Sequence, residues 1–330
     1  MTGVRTLPPG ADAARPPQAP TVPAESSATS GTQRSGSPAG RRWSRTTVET
    51  RVLGVLRWVV IAGLLLFTLF PFYYMVLLSF RDLSSLLQDP ARLWPTLSEL
   101  TVSTYRDVLA PTESGGQGFL RFMATSGLVA IGTVAVTLAF AVLGSYALAR
   151  LRFPGRRRVS VLFLAVYLFP SILLAVPLFI FFTRVGLRGA LPALVLVYVS
   201  QTVAVAIYML RNYFQTVPVS IEEAAAVDGA DRFTIMRRIT LPLAMPAILS
   251  NALFVFMIAW NEFLFALLFL VEDRSRWTVS LGLSQLAGSI EIPTTVLMAG
   301  SVILTVPIVV LFLATERLLT GGLTAGAEKG

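Results

Sequence analysis

From Ser220 to Pro246 the chain reads SIEEAAAVDGADRFTIMRRITLPLAMP. This charged, amphipathic segment interrupts a chain of 330 residues that is 54% hydrophobic and 14% charged, against the roughly 25% charged of a soluble domain. What surrounds it decides what it is. A hydrocarbon core ~30 Å thick is crossed by about 20 largely apolar helical residues. Six intervals qualify: 58–80, 122–149, 159–183, 189–210, about 246–271 and 292–315. Only the fifth holds an ionisable residue, Glu262. The pattern predicts an all-α polytopic membrane protein with six spans, and it places the segment from Ser220 in the connection between the fourth and the fifth.

The basic residues orient the chain. With the N-terminus inside, 19 of the 27 Arg and Lys fall in inner segments and 8 in outer ones. The tight loop RLRFPGRRR, Arg150 to Arg158, weighs most, because short loops next to spans dominate the positive-inside bias. N-in and C-in follow, so the loop at about 211–245 is cytoplasmic. Topology accounts for the net charge of +9, and no nucleic-acid partner is expected. The chain has no cysteine and no histidine, which removes thiolate chemistry and the commonest general base and metal ligand. No catalytic or metal-binding constellation is found. Residues 1–50, rich in Pro, Ala, Ser and Gly, lack the apolar surface to offset their ordering entropy and read as a disordered cytoplasmic tail. Residues 51–330 are expected to form one six-helix transmembrane domain.

Within the loop, Ser220 and Glu223 match a capping box just after Pro218, so a helix is expected from about Ile221. Ile221, Ala224, Ala225 and Asp228 fall on one face with small side chains at its middle. Gly229 suits a helix end that needs positive φ, and Asp231 suits the cap of a second short helix carrying Phe233, Met236 and Arg237. Leu241-Pro242 is expected to end that second helix. Glu222, Glu223 and Asp228 disfavour a helix lying on an anionic leaflet. A docking element for a soluble partner fits better.

Glu223-Ala224-Ala225, three residues, Gly229, nine residues, Ile239, one residue, Leu241-Pro242 resembles the EAA loop of ABC importer permeases, with every signature position filled. The segment LRNYFQTVPVSIEEAAAVDGA ahead of it, WNEF at Trp260 to Phe263 and the ending GLTAGAEKG resemble the carbohydrate-uptake branch, the smaller six-helix subunit of the maltose-transporter type. The likeness covers about residues 50–330. It implies a type I importer permease fold in a bacterial or archaeal cell membrane. It also implies a second permease subunit, two cytoplasmic ATPase subunits that bind ATP and Mg, and an extracytoplasmic binding protein or lipoprotein. By the same resemblance Glu223, Ala224, Ala225, Gly229, Ile239, Leu241 and Pro242 couple to the ATPase, with Glu222 and Asp228 beside them. Residues 272–291 would meet the binding protein, and residues 317–330 would reach toward the ATPase pair.

A P-loop needs a Gly-Lys pair followed by Ser or Thr, and the one lysine, Lys329, precedes only Gly330. Any ATP hydrolysis therefore belongs to another polypeptide, and this chain carries no cofactor and no catalytic residue of its own. Glu262, with Asn261, Tyr198, Gln201 and Asn251, is a candidate for the substrate path or a gate. A structural contact between helices is the competing reading for each. Pro170, Pro177 and Pro307 are expected to mark kinks. A secondary transporter driven by an ion gradient and an importer of glycerol phosphodiesters or polyols remain as alternatives.

Overall fold

The structure is a computed structural model that describes residues 45–327, with side chains from 52 to 316. Two compact units divide at Ile61. The first contributes only the opening of α1 to the described residues, and the elements after α1 all belong to the second. The tail expected over 1–50 lies outside the described residues up to position 44, and α1 begins at Arg45, inside that interval. No strands occur among the described residues, only one isolated bridge, between Arg81 and Leu100.

Among the described residues four helices are long and apolar enough to cross a membrane: α1 (Arg45–Phe80), α4 (Phe119–Arg150), α7 (Leu191–Thr216) and α14 (Thr294–Ala327). Short helices α2 (Leu83–Gln88) and α3 (Ser103–Leu109) lie between α1 and α4. The third expected span is broken into α5 (Arg156–Tyr167) and α6 (Ala175–Arg184), bent by 84° at Pro170 and the 3₁₀ turn Ser171–Leu174. Pro170 lacks an amide to continue the α5 ladder. Pro177 produces no kink, because it sits in the first turn of α6, where a missing donor costs nothing. The fifth expected span is likewise divided, into α11 (Met245–Asn261) and α12 (Leu264–Leu270), with Glu262 extended between them. Pro307 lies inside α14.

The bundle is built on α4 against α7. Ser126, Ala130, Thr133, Thr137, Ala141 and Ser145 recur every three or four residues along α4, and all are buried. Small residues let two backbones approach in lipid, where burial of apolar surface supplies no drive. Thr137 and Thr202 share a hydroxyl hydrogen bond of 3.0 Å across this seam, and a Cβ on Gly144 would stand 3.2 Å from Ile207. The α4–α7 pair then carries two apolar clusters. One holds Phe119, Phe122, Tyr198, Trp260 and Phe265, and the other holds Tyr146, Phe214, Met236 and Val255.

Residues 272–291 differ from the exposed loop that the resemblance implies. Their middle is a helix, α13 (Val279–Ala287), in which Val279, Leu281 and Leu286 are buried. Ser126 of α4 accepts the Val279 amide at 2.8 Å. The side of the helix that carries Val279, Leu281 and Leu286 faces inward, while Gln285, Ala287 and Gly288 at its end reach the surface together with Glu272, Arg274, Arg276, Ile290 and Glu291 in the flanks.

Arg81, counted above as an orientation signal, is 1% exposed. Its guanidinium donates to the carbonyls of Ser85 (3.1 Å), Asp89 (2.7 Å) and Arg92 (3.3 Å), which ties the chain after α1 into a closed loop. Charge-assisted bonds of this kind contribute about 1.5–3 kcal/mol each. Arg81→Met is therefore expected to open residues 82–100 to protease while the spans stay protected, and limited proteolysis of the purified protein measures it.

Candidate functional site

The segment that began the sequence analysis folds as a helix, a glycine turn and a second helix. α8 (Val219–Val227) starts two residues earlier than the local signal predicts, with Pro218 at its cap position and no side-chain cap. The expected Ser220–Glu223 capping box is not formed. Tertiary contacts override it: Arg150, the last residue of α4, donates Nη2 to the Val217 carbonyl at 2.9 Å and Nε to Glu222 Oε1 at 2.8 Å. Thr240 Oγ1 donates to the same carboxylate oxygen at 2.9 Å.

Glu222, expected to point outward with Glu223 and Asp228, is instead 8% exposed. One side chain thus joins three elements, the end of α4, the loop helix α8 and the helical segment that leads back to the bundle. Removing one member of a buried ion pair strands the other's charge and costs about 3–5 kcal/mol.

The far end of α8 is closed by a Schellman turn. Gly229 N donates to Ala226 O at 3.1 Å and Ala230 N to Ala225 O at 3.0 Å, with Gly229 at φ 88°. A Cβ at Gly229 would meet nothing within 4 Å. The requirement for glycine here is therefore conformational and not steric. Asp231 then caps α9 (Arg232–Ile235) by accepting from the Thr234 amide at 3.2 Å. Hydrogen bonding from the Thr234 side chain and amide holds its carboxyl below the usual carboxylate range.

The second helix does not stop at Leu241-Pro242. It passes through a π turn, Met236–Thr240, into α10 (Leu241–Leu243) and bends by 75° at Ala244 before α11. Pro242 is tolerated in the first turn of α10 because the wider turn brings Leu241 N to Met236 O.

Glu223, Ala224, Asp228 and Gly229 are exposed and Ala225 is partly so, flanked by Ile221 (42% exposed), Val227 (88%) and Phe233 (61%). Ile239 and Leu241 are half-buried, and Leu241 packs on the second apolar cluster. Sequence reasoning missed Val227 as part of this face. It also missed Arg150 and Thr240 as its anchors, since nothing in a span-ending arginine marks the carboxylate it will meet 72 positions later.

The intramembrane candidates separate. Glu262 and Tyr198 come together, the phenol donating to Glu262 Oε2 at 2.6 Å. The same carboxylate accepts the Phe265 amide at 3.0 and 3.1 Å and the Ala266 amide at 3.3 Å, and so caps α12. Ser280 of α13 donates to the Glu262 carbonyl at 2.6 Å. Gln201 lies elsewhere, in the wall of a cavity of about 570 Å³ at the break in the third span, with Tyr167, Phe169, Ser200, Phe254 and Phe265. Its Nε2 is buried without an acceptor. Asn251 is buried with Oδ1 unpartnered, and Asn261 is exposed, its Nδ2 turned back to Met257 O at 2.9 Å. Neither lines that cavity. Among the described residues no group of three or more Asp or Glu is placed to hold a metal ion.

Residues 140–320 match the family model described as binding-protein-dependent transport system inner membrane component. The chain is 38% identical over 272 residues to the inner membrane ABC transporter permease protein YcjP of Escherichia coli, covering 82% of this chain and 94% of that one. It is 36% identical over 290 residues to the trehalose/maltose transport system permease protein MalG of Thermococcus litoralis, covering 87% and 99%. A chain of a bacterial ABC transporter involved in the import of the acidic polysaccharide alginate superposes with a TM-score of 0.70 at 24% identity, over 84% of this chain and 99% of its own, which establishes the shared fold.

Two outcomes test the anchoring. Glu222→Ala is expected to lower stability by about 3–5 kcal/mol, whereas Arg150→Met with Glu222→Leu regains most of that loss because no charge is left buried alone. Thermal unfolding of the purified proteins ranks the three forms. Glu262→Ala is expected to loosen α12 and expose Leu264–Leu270 to hydrogen exchange ahead of α11.

Proposed function

The chain belongs to the family of binding-protein-dependent transport system inner membrane components, and on that premise we propose that it is one of two permease subunits in an ATP-driven importer of a di- or oligosaccharide. It sits in the cell membrane with both termini in the cytoplasm, receives substrate from an extracytoplasmic binding protein, and is driven by two ATPase subunits that hold ATP and Mg. The observation that carries this reading is the loop at 219–244, whose outer face of Glu223, Ala224, Asp228 and Gly229 is free while its inner side is bolted to α4 through Arg150 and Glu222. A loop built this way moves as a body. Displacement of its outer face by a closing ATPase pair passes through Arg150 to α4 and across the bend at Ala244 to α11, which borders the cavity through Phe254 and Ile258.

The sugar is supported by the likeness to the trehalose/maltose transport system permease protein of Thermococcus litoralis and by the cavity. Aromatic faces of Tyr167 and Phe169 suit the apolar faces of a pyranose, and Ser200 and Gln201 offer hydroxyl partners. An ion-driven mechanism is less well supported, since the intramembrane carboxylate of Glu262 is engaged in capping α12.

Gly229→Val is expected to abolish uptake of labelled maltose or trehalose while the protein still inserts and accumulates, because a β-branched residue at positive φ distorts the turn by about 1–2 kcal/mol and reshapes the docking face. Uptake in wild-type cells should collapse on ATP depletion and survive an uncoupler under conditions that preserve ATP. Collapse on the uncoupler with ATP intact would refute the ATP-driven reading, and uptake of glycerophosphodiesters in place of sugars would refute the substrate.

A further inference from the structure

Helix α5 begins with three consecutive arginines, Arg156, Arg157 and Arg158, and has no acidic residue in its first turn and no side-chain cap. This charge order is the reverse of what a helix favours, since the N-terminal end of the macrodipole repels cations and attracts anions. Positive-inside topology accounts for which side of the membrane the arginines occupy, but it does not require them to converge. They do converge. Arg156 and Arg157, with Arg211 reaching across from α7, line one pocket of about 430 Å³ that also holds Ser160 and Tyr208, and no acidic side chain lines it. None of the ion pairs among the described residues involves Arg156, Arg157, Arg158 or Arg211. Arg211 Nε is buried without an acceptor.

The remaining wall is apolar. Val161 and Leu164 complete the pocket, and they are 59% and 40% exposed on a helix whose next turns also present Leu162 and Val166 outward. Positive charge at one end and an aliphatic strip running away from it match a molecule with an anionic head and hydrocarbon tails, the Ser160 hydroxyl being used on the Arg156 carbonyl at 3.1 Å. Basic pockets between spans on the cytoplasmic side have this chemistry. We infer that the pocket between the start of α5 and the end of α7 is a binding site for an anionic phospholipid, its phosphodiester among Arg156, Arg157 and Arg211 and its acyl chain along Val161 and Leu164. The bound phosphate supplies the negative charge that the α5 N-terminus lacks. Because α5 leads directly to the break at Pro170, an occupied site also steadies the helix that borders the central cavity.

The test uses full-length protein purified in detergent, offered phosphatidylglycerol or phosphatidylcholine and weighed by native mass spectrometry. An R157Q/R211Q variant is compared with wild type; Arg156 is spared because it also donates to the Ala149 carbonyl at 3.1 Å. Wild type is expected to retain phosphatidylglycerol over phosphatidylcholine, and the variant to lose about fivefold of that preference per arginine removed. An L164S variant should weaken retention without altering the charge. Equal retention of the two lipids, or unchanged retention in R157Q/R211Q, would overturn the site. Displacement of the lipid by excess inorganic phosphate with L164S indistinguishable from wild type would assign a free anion instead. Loss of co-purifying ATPase subunits in R157Q/R211Q with no change in lipid retention would assign the arginines to a protein contact.

Discussion

Inside a membrane no water is at hand for a helix that stops short, so each interruption of the backbone ladder has to be satisfied by the protein itself. That constraint explains where this chain spends its buried ionisable groups. Arg81 gathers three carbonyls just beyond α1, Arg150 gathers the Val217 carbonyl and the Glu222 carboxylate at the end of α4, and Glu262 gathers two amides and a phenol at the break between α11 and α12. In each case the charge sits at a chain break and is used up there. Charges that a span count singles out, Glu262 among them, also close the ends of helices.

The same economy shapes the loop between α7 and α11. A surface helix of nine residues would be marginal by itself. Fixed at one end through Glu222 and finished at the other by the Gly229 turn, it has one free face. On the mechanism proposed above, this anchoring is what carries a push on that face to α4 and α11. The broken third span follows a related logic. Its 84° bend at Pro170 keeps α5 and α6 from filling the space beside α7, and the cavity with Gln201 in its wall is the result.

Much of this was legible before any coordinates. The span pattern, the helix, glycine turn and helix of the loop, the positive φ at Gly229 and the cap at Asp231 all follow from local chemistry, and each appears in the fold. Local chemistry fails where a distant partner competes. Ser220 has the residue type and spacing of a cap, yet the ion pair from Arg150 starts α8 earlier. Val279 to Ala287 reads as part of an outer loop, yet its apolar residues are folded back into the bundle. Glu262 reads as a candidate for the substrate path, a gate or a contact between helices, and its carboxylate is engaged by Tyr198 and by the first amides of α12, partners that no local pattern marks.

The sequence by itself determined that this protein is built of helices with several spans apolar enough to cross a membrane, and that the loop between α7 and α11 holds a helix, a glycine turn and a second helix. Those conclusions rest on hydropathy and short-range spacing, which are properties of neighbouring residues. Tertiary structure alone decided which charges stay at the surface and which are consumed within, because burial depends on pairs such as Arg150 and Glu222, or Tyr198 and Glu262, that lie 72 and 64 positions apart. No local rule sees across that distance; only the packing of α4 and α7 brings such groups within a hydrogen bond of each other.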